Sequence, residues 1–382
     1  MLLRLLLIII PLIAVSCNDN STNNHETSPL VPIYNSNIKH AKMFSISYYD
    51  GYKIITVKDH WSSNNDKYKY LLLEKGSTQP KGYEGFMIIK TPIENMICLS
   101  STNLAFADKL NLLGQVLGID NINYINNKKA LELYKKGQIK EIGSEANINV
   151  ETILDLEPSM VFAYSTSNSK SGIYNKLNEV GIKVGMFSEY LETTPLGRAE
   201  WIKFLAAFTN QEKLADSIFD ATEKEYIKLR SLATKVKRKP TVFTGTTFNS
   251  TWYAAGGNSY VGNYFKDAGA AYLWSSDTST GALKLSFEYV YSAALNTDYW
   301  VCNVAHWKSL EDVLTDDERF ADFKAIKNKN LFNNIASVNE VGANDYWESG
   351  LVNPHWVLAD LINVFHPNIL EDHNNYFYTR IQ

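Results

Sequence analysis

Residues 44–90 show the alternation of apolar and polar positions that is typical of half-buried β-strands. Phe44, Ile46 and Tyr48 carry this alternation, and a glycine turn separates them from a second apolar run. A third run follows at Tyr70–Leu73. Short apolar runs that are separated by turn residues predict an antiparallel β meander in this part of the chain.

From Met96 onward, short apolar runs alternate with segments whose apolar residues recur at helical spacing. The predicted strands are Met96–Leu99, Val116–Ile119, Met160–Tyr164 and Ile182–Phe187. The predicted helices are Leu104–Leu113, Asn149–Leu156 and Ile173–Val180. Ser100 and its polar neighbours supply a cap for the first helix, and Pro158 stops the second. This alternation predicts a parallel sheet.

The longest helical pattern of the chain follows, as Leu196–Phe208 and then Gln211–Val236, and basic residues and Pro240 end it. The strand and helix alternation then starts again. The predicted strands are Thr241–Gly245, Leu283–Leu285, Tyr299–Cys302 and Ile335–Val338. The predicted helices are Tyr260–Ala268, Phe287–Ala294, Arg319–Ile326 and Pro354–Phe365. The sequence therefore predicts an α/β protein with two Rossmann-like lobes of parallel sheet, joined by one long α-helix and preceded by a small β meander.

The first 16 residues form an apolar run with one Arg, which is typical of a signal peptide and too short for a confident membrane span. Ala14–Cys17 resembles the lipobox of bacterial lipoproteins, in which the Cys is lipidated, although Ala14 stands where Leu is preferred. An ordinary signal peptide that is cleaved elsewhere is the alternative. We expect export and a lipid anchor at Cys17 on a bacterial membrane, facing the periplasm or the cell exterior.

These patterns divide the chain into six segments. They are a signal peptide (1–16), a lipidated Cys with a polar tether (17–41), the meander (42–90), an N-terminal lobe (91–194), linker helices (195–239) and a C-terminal lobe (240–382).

Composition narrows the function. The 37 basic and 41 acidic residues give a net charge of −4 without a basic run, which argues against a nucleic-acid partner. The seven His are scattered and no metal-ligand spacing occurs, so we expect neither a metal site nor a cofactor. Cys98 and Cys302 lie in apolar runs, where we expect buried, unpaired thiols.

The order of elements, together with the segments Gly143–Glu145, Asn149–Phe162 and Leu283–Val290, resembles a known family. It is similar to the substrate-binding proteins of ABC importers for iron–siderophores, haem and vitamin B12, over about Thr91–Pro367. The resemblance implies a monomeric binding protein that captures a ferric siderophore, haem or cobalamin between its lobes. It also implies an ABC permease and its ATPase as partners.

In this family, one Glu on each lobe docks into the permease. The matching residues are Glu151 and Glu288, each in the first turn of a predicted helix. An acidic residue at that position also stabilises the helix dipole, by about 0.3–1 kcal/mol, and the two roles are compatible.

Ligand contacts in an open α/β sheet are expected in the loops that follow the strands. Several of these loops are rich in aromatic residues, whose rings can grip a large, flat or apolar chelate. The predicted ligand-binding residues are Tyr164, Lys170, Trp252, Tyr253, Tyr260, Trp307, Tyr346 and Trp347. A single Trp among them could equally be a core residue.

Two further residues have open roles. Arg198 could pair with a ligand carboxylate and His306 could ligate haem iron or cobalt, but we favour a structural role for both. The alternative functions are a hydrolase that uses Ser101, His306 and Asp345, and a binding protein for a different small ligand. The hydrolase lacks a G-x-S-x-G motif, and the hydroxyls near Ser101 are explained by helix capping.

Overall fold

The computed structural model describes residues 32–58, 66–143, 147–164 and 171–382. The predicted signal peptide, Cys17 and Lys170 lie outside these ranges. Residues 32–382 form one compact unit.

The first sheet consists of five strands in sequential order. They are β1 (Tyr34–Asn35), β2 (Phe44–Tyr49), β3 (Tyr52–Lys58), β4 (Asp66–Glu74) and β5 (Met87–Thr91). Strands β1–β4 pair antiparallel, as the meander predicts, but β5 pairs parallel with β4. The sheet also begins before residue 42, because β1 precedes the predicted start of the meander.

The N-terminal lobe contains a five-stranded parallel sheet of order β10-β9-β6-β7-β8. Its strands are β6 (Met96–Cys98), β7 (Val116–Ile119), β8 (Lys140–Glu141), β9 (Met160–Tyr164) and β10 (Val184–Phe187). Its helices are α1 (Ser101–Lys109), α2 (Lys128–Lys135), α3 (Val150–Leu156) and α4 (Ser171–Glu179). Helix α1 begins earlier than predicted, because the Ser100 hydroxyl caps the backbone N–H of Thr102.

Three helices link the lobes. They are α5 (Pro195–Ala199), α6 (Ile202–Thr209) and the 23-residue α7 (Glu212–Thr234). The predicted helix Leu196–Phe208 is thus divided into two helices. Near the division, the fully buried Glu200 carboxylate accepts backbone N–H groups from Lys39, His40 and Ala41 at 2.7–3.1 Å. The chain that enters the first sheet is therefore fixed to the linker.

The C-terminal lobe contains two sheets. Its main strands are β11 (Thr241–Phe243), β14 (Ala271–Tyr272), β16 (Tyr299–Cys302), β17 (Leu331–Asn333) and β18 (Thr379–Arg380). They lie in the order β14-β11-β16-β17-β18, in which only β18 is antiparallel to its neighbour. A small antiparallel sheet is formed by β12 (Thr246–Phe248), β13 (Thr251–Ala255) and β15 (Ala282–Leu285). The helices are α8 (Tyr260–Asp267), α9 (Phe287–Ala294), α10 (Leu310–Asp316), α11 (Lys324–Lys327), α12 (Ser349–Val352) and α13 (Pro354–Phe365).

Two predictions for this lobe are wrong, and a third is right about the strand but not about its sheet. The run Leu283–Leu285 forms part of the small antiparallel sheet rather than of the parallel one. The predicted strand Ile335–Val338 is not a strand, because the buried run Leu331–Asn333 pairs with β16 instead. The predicted helix near Arg319–Ile326 is a 3₁₀ turn followed by the short α11.

The two remaining cysteines, Cys98 and Cys302, are both buried and free, which confirms the prediction of unpaired thiols.

Candidate ligand-binding site

A cavity of about 610 Å³ opens at the carboxyl ends of β11, β16 and β17 in the C-terminal lobe. Thr244, Asn303 and Asn334, which follow these strands, provide polar groups at its floor. Aromatic side chains from five different segments form its walls. They are Phe248, Tyr253, Tyr260, Phe265, Tyr346, Trp347 and Tyr378. The cavity therefore has the position that an open α/β sheet gives its ligands.

The hairpin of β12 and β13 builds one wall. Its turn residues Asn249 and Ser250 both have positive φ, at 49° and 61°, which suits a tight hairpin. The rings of Phe248 and Tyr253 lie 6.5 Å apart on the hairpin, and the two residues are 67% and 37% exposed. At the base, Gly245 has φ of 95°, and a Cβ there would lie 2.0 Å from the carbonyl oxygen of Tyr253. Only glycine permits this close approach.

The opposite wall is a short turn that contains Tyr346 and Trp347. Asn344 fixes this turn, because its side-chain oxygen accepts the Tyr346 N–H at 3.0 Å and its amide donates to the Asn334 carbonyl at 2.7 Å. The two rings meet edge to face, with centroids 5.0 Å apart. Burial raises the pKa of Tyr346 well above its ordinary value, so its phenol is neutral.

Four of the predicted ligand-binding residues thus come together in one cavity: Tyr253, Tyr260, Tyr346 and Trp347. Tyr164, half-buried at the end of β9, does not line this cavity.

The prediction that Trp252 and Trp307 contact a ligand is wrong for this structure, because both side chains are 0% exposed. The Trp252 indole donates to the Thr244 carbonyl at 3.1 Å, and the Trp307 indole donates to the Asp316 carboxylate at 2.7 Å. Both pack against Trp300, with ring centroids at 5.5 and 5.3 Å. The alternation along β13 turns Trp252 into the core and its neighbour towards the cavity.

Sequence reasoning did not find Phe248, Phe265 and Tyr378 as cavity residues. Phe248 precedes the Asn249–Ser250 turn, and an aromatic beside a hairpin turn was an available signal. Tyr378 comes from the end of the chain, next to β18, and no local pattern predicts that it reaches this cavity.

His306 is exposed, and its Nε2 lies 2.8 Å from the Asp316 carboxylate, away from the cavity. Asp345 accepts the Tyr376 hydroxyl at 2.9 Å, so two of the three suggested hydrolase residues, His306 and Asp345, have other partners.

Arg198 is only 7% exposed, and its guanidinium carbon lies 4.4 Å from the centre of the Tyr260 ring. Its Nε has no hydrogen-bond partner. The sequence favoured a structural role for Arg198. Within the described part of the chain, no hydrogen bond of Arg198 supports that role.

Glu151 and Glu288 are both exposed in the first turns of α3 and α9. Each helix has a side-chain cap, Asn149 for α3 and Ser286 for α9, so the carboxylates are not needed for capping.

Among the described residues, no three His, Cys, Asp or Glu side chains are grouped so that they could hold a metal ion. Within the same ranges, none of the helices combines the length and the apolar character that crossing a membrane requires.

Two α/β lobes, a long linking helix and a cavity beyond the strand ends define a two-lobe solute-binding protein. Residues 96–334 match the sequence model of the periplasmic binding protein family, and this match covers more than half of the chain. The chain therefore belongs to that family, and it is a binding protein rather than an enzyme.

The chain is also similar to curated relatives and to solved structures. An uncharacterised lipoprotein of Methanocaldococcus jannaschii is 29% identical over 393 residues, covering 94% of this chain and 90% of the relative. A possible iron-binding (periplasmic solute-binding) protein from Staphylococcus epidermidis has a TM-score of 0.57 and 19% identity, covering 72% of this chain and 100% of that one. A periplasmic haem-binding protein from Pseudomonas aeruginosa has a TM-score of 0.55 and 16% identity, covering 72% and 93% of the two chains. At these identities the solved structures show a shared fold.

Proposed function

We propose that this protein captures a metal chelate, a ferric siderophore, haem or a corrinoid, and delivers it to the permease of an ABC importer. The observation that carries the proposal is the cavity of about 610 Å³ with seven aromatic side chains in its walls. This volume lies within the range of about 300–1,000 Å³ that is usual for small-molecule sites. Rings on opposite walls suit a large ligand with flat or apolar faces.

A bare metal ion is a poorer candidate, because the described residues offer no group of three carboxylate, thiol or imidazole ligands. The polar groups at the cavity floor are few compared with its rings, so a ligand with a broad apolar surface is favoured over a sugar.

Delivery requires contact with a permease. Glu151 and Glu288 present one exposed carboxylate from each lobe, on the first turn of a helix. A carboxylate on each lobe allows the protein to dock on a partner with two basic pockets, and electrostatic attraction would speed this encounter.

Anchoring is proposed at Cys17, in keeping with the lipoprotein among the relatives. We expect Cys17→Ser to release the protein from membranes, because the lipid would be lost. Fractionation after a carbonate wash checks this, and a variant that stays in the membrane pellet would contradict lipidation.

The chelate proposal is tested with the soluble chain, without the first 17 residues. Native mass spectrometry against haem, cobalamin and several ferric siderophores should show a one-to-one complex with at least one of them. Tryptophan fluorescence, quenched by the light-absorbing chelate, then gives the affinity.

Tyr253→Ala should weaken that binding by about 1–3 kcal/mol, because an exposed ring on the cavity wall is lost. Tyr289→Ala is the matched control, since Tyr289 is also exposed but lies on α9, outside the cavity. Saturable binding of a sugar or a bare divalent ion, with no response to any chelate, would overturn the proposal.

A further inference from the structure

A buried guanidinium without hydrogen bonds lies beside the cavity. Thr194 caps α5, with its hydroxyl accepting the Gly197 N–H at 3.0 Å, and Pro195 begins the helix. This places Arg198 within the packed linker, where it is 93% buried. Its Nε has no partner, and no hydrogen bond or ion pair of its guanidinium occurs within the described ranges.

Arg198 stands directly behind the aromatic wall. Its guanidinium stacks on Tyr260 at 4.4 Å, and Tyr260 belongs to the large cavity. Arg198 lines a narrow space of about 10 Å³ next to the large cavity. Tyr260, Tyr346 and Trp347 line both spaces, while Arg198 lines only the narrow one. Of these three shared residues, Tyr260 and Trp347 are half-buried and Tyr346 is buried.

The acidic residue whose charge acts on Arg198 is not paired with it. Glu189 is 3% exposed, and one of its carboxylate oxygens accepts the Thr102 hydroxyl at 2.9 Å. Its other oxygen has no hydrogen-bond partner. Burial raises the pKa of Glu189, although the charge of Arg198 and the Thr102 hydroxyl lower it.

Arginine keeps its charge at every physiological pH, and its planar donors match an oxyanion in a two-pronged geometry. A buried cation without such a partner is unfavourable, unless a ligand or water supplies the missing acceptors. The nearby tyrosines offer rings and neutral phenols, which can stack on a guanidinium but do not neutralise it.

We propose that Arg198 binds an oxyanion of the ligand, such as a carboxylate or a catecholate oxygen, which reaches it past Tyr260 and Trp347. The ligand is then an anionic chelate rather than a neutral one. This inference rests on the proposed function, because it assigns one group of the chelate that the cavity would hold.

The test compares probes that differ in charge. Ferric enterobactin has a net negative charge and haem has two free propionate carboxylates, whereas ferrichrome has no net charge and haem dimethyl ester has no free carboxylate. Affinities are measured by tryptophan quenching for the wild type, Arg198→Gln and the control Arg238→Gln, whose arginine is exposed and outside the cavity. Arg198→Gln should weaken the anionic chelate that binds by about 10- to 100-fold and leave neutral chelates within about twofold.

The outcomes separate this inference from the function. If the wild type binds a chelate and Arg198→Gln does not change the affinity, Arg198 makes no ligand contact and the inference is overturned, while the proposed function stands. A wild type that prefers neutral chelates has the same consequence. If the wild type binds none of these probes, nor cobalamin, the proposed function is overturned and the inference with it.

Folding is checked on the unliganded proteins. Arg198→Gln should unfold within about 4 °C of the wild type, because it loses the stacking contact with Tyr260 but no hydrogen bond. If this variant does not fold, Arg198→Lys replaces it, since Lys keeps the charge but loses the two-pronged geometry. Weaker binding of the anionic probe with unchanged ferrichrome affinity then supports the inference, and unchanged binding of both overturns it.

Discussion

Each of the two lobes has its own, mainly parallel sheet, but the side chains at the carboxyl ends of the strands differ between the lobes. The C-terminal lobe presents rings, from Tyr253, Tyr260, Tyr346 and Trp347. The described strand ends of the N-terminal lobe present polar groups instead, with the Ser100 and Thr102 hydroxyls 2.8 Å apart and Thr102 donating to Glu189 at 2.9 Å. Aromatic rings therefore predominate at the strand ends of the C-terminal lobe, and hydroxyl and carboxyl groups at the described strand ends of the N-terminal lobe.

The two lobes are also joined by hydrogen bonds. The Glu348 carboxylate of the C-terminal lobe accepts the backbone N–H groups of Asn126 and Asn127 at 2.6 and 2.8 Å. The Asn126 amide returns to the C-terminal lobe and donates to the Ala343 carbonyl at 2.8 Å. With these bonds and the 23-residue α7 between the lobes, we expect ligand binding to produce only a small closure. Selectivity then depends on the side chains already in place.

The largest effect is expected within the aromatic set of the C-terminal lobe, where neighbouring rings have different roles. Trp252→Ala should lower the free energy of unfolding by about 3–5 kcal/mol, because a fully buried ring is removed from the core. Tyr253→Ala, one residue further, should change it by less than about 1 kcal/mol. Urea denaturation of both variants measures the contrast, and equal losses would mean that Tyr253 is a core residue.

Much of the fold could be predicted from local patterns. The helix Phe287–Ala294 and the strand Tyr299–Cys302 have the predicted bounds, because apolar spacing and flanking polar residues mark both ends. The run Leu283–Leu285 could not be assigned in the same way. A short apolar run looks the same in a parallel or an antiparallel sheet, and its pairing with Trp252 and Tyr253 is a long-range contact.

The candidate site was harder to predict than the fold. The loops that follow the strands were predictable, but which ring in a loop faces the cavity depends on packing partners elsewhere. Trp307 is the clearest case, because its burial depends on Trp300, Phe320 and the carboxylate of Asp316. None of these contacts leaves a periodic pattern near Trp307.

The next largest effect concerns docking on the permease, to which each lobe should contribute one carboxylate. Glu151→Arg combined with Glu288→Arg should reduce uptake through the permease by about 100-fold or more, because like charges would meet at both contacts. Each single reversal should have an intermediate effect, since one docking carboxylate remains. Uptake of labelled chelate by cells measures this.

The chelate affinity of the purified double variant is the control, and it should not change, because both carboxylates are exposed and outside the cavity. Weaker chelate binding would place these residues in ligand contact or in lobe stability rather than in docking.

The smallest effect concerns the bond between the lobes. The pKa of Glu348 is raised from 4.5 to about 8, mainly by burial and also by the charges of Asp345 and Asp108, while the N–H groups of Asn126 and Asn127 oppose this rise. Between these values the folded protein holds a proton that the unfolded chain has released. Stability should therefore fall as the pH rises through this window, by up to about 1.4 kcal/mol per pH unit, and level off above it.

Glu348→Gln removes this titration, so the variant should gain about 1–2 kcal/mol relative to the wild type between about pH 6 and pH 7.5. Urea denaturation at both pH values gives the difference. Burial also raises the pKa of Asp120 to about 6 and lowers that of His355 to about 4, but both groups are present in both proteins and cancel in the comparison. A wild type and a variant with parallel pH profiles would show that Glu348 is ionised throughout. The contact between the lobes would then be a permanent carboxylate clamp on two backbone N–H groups.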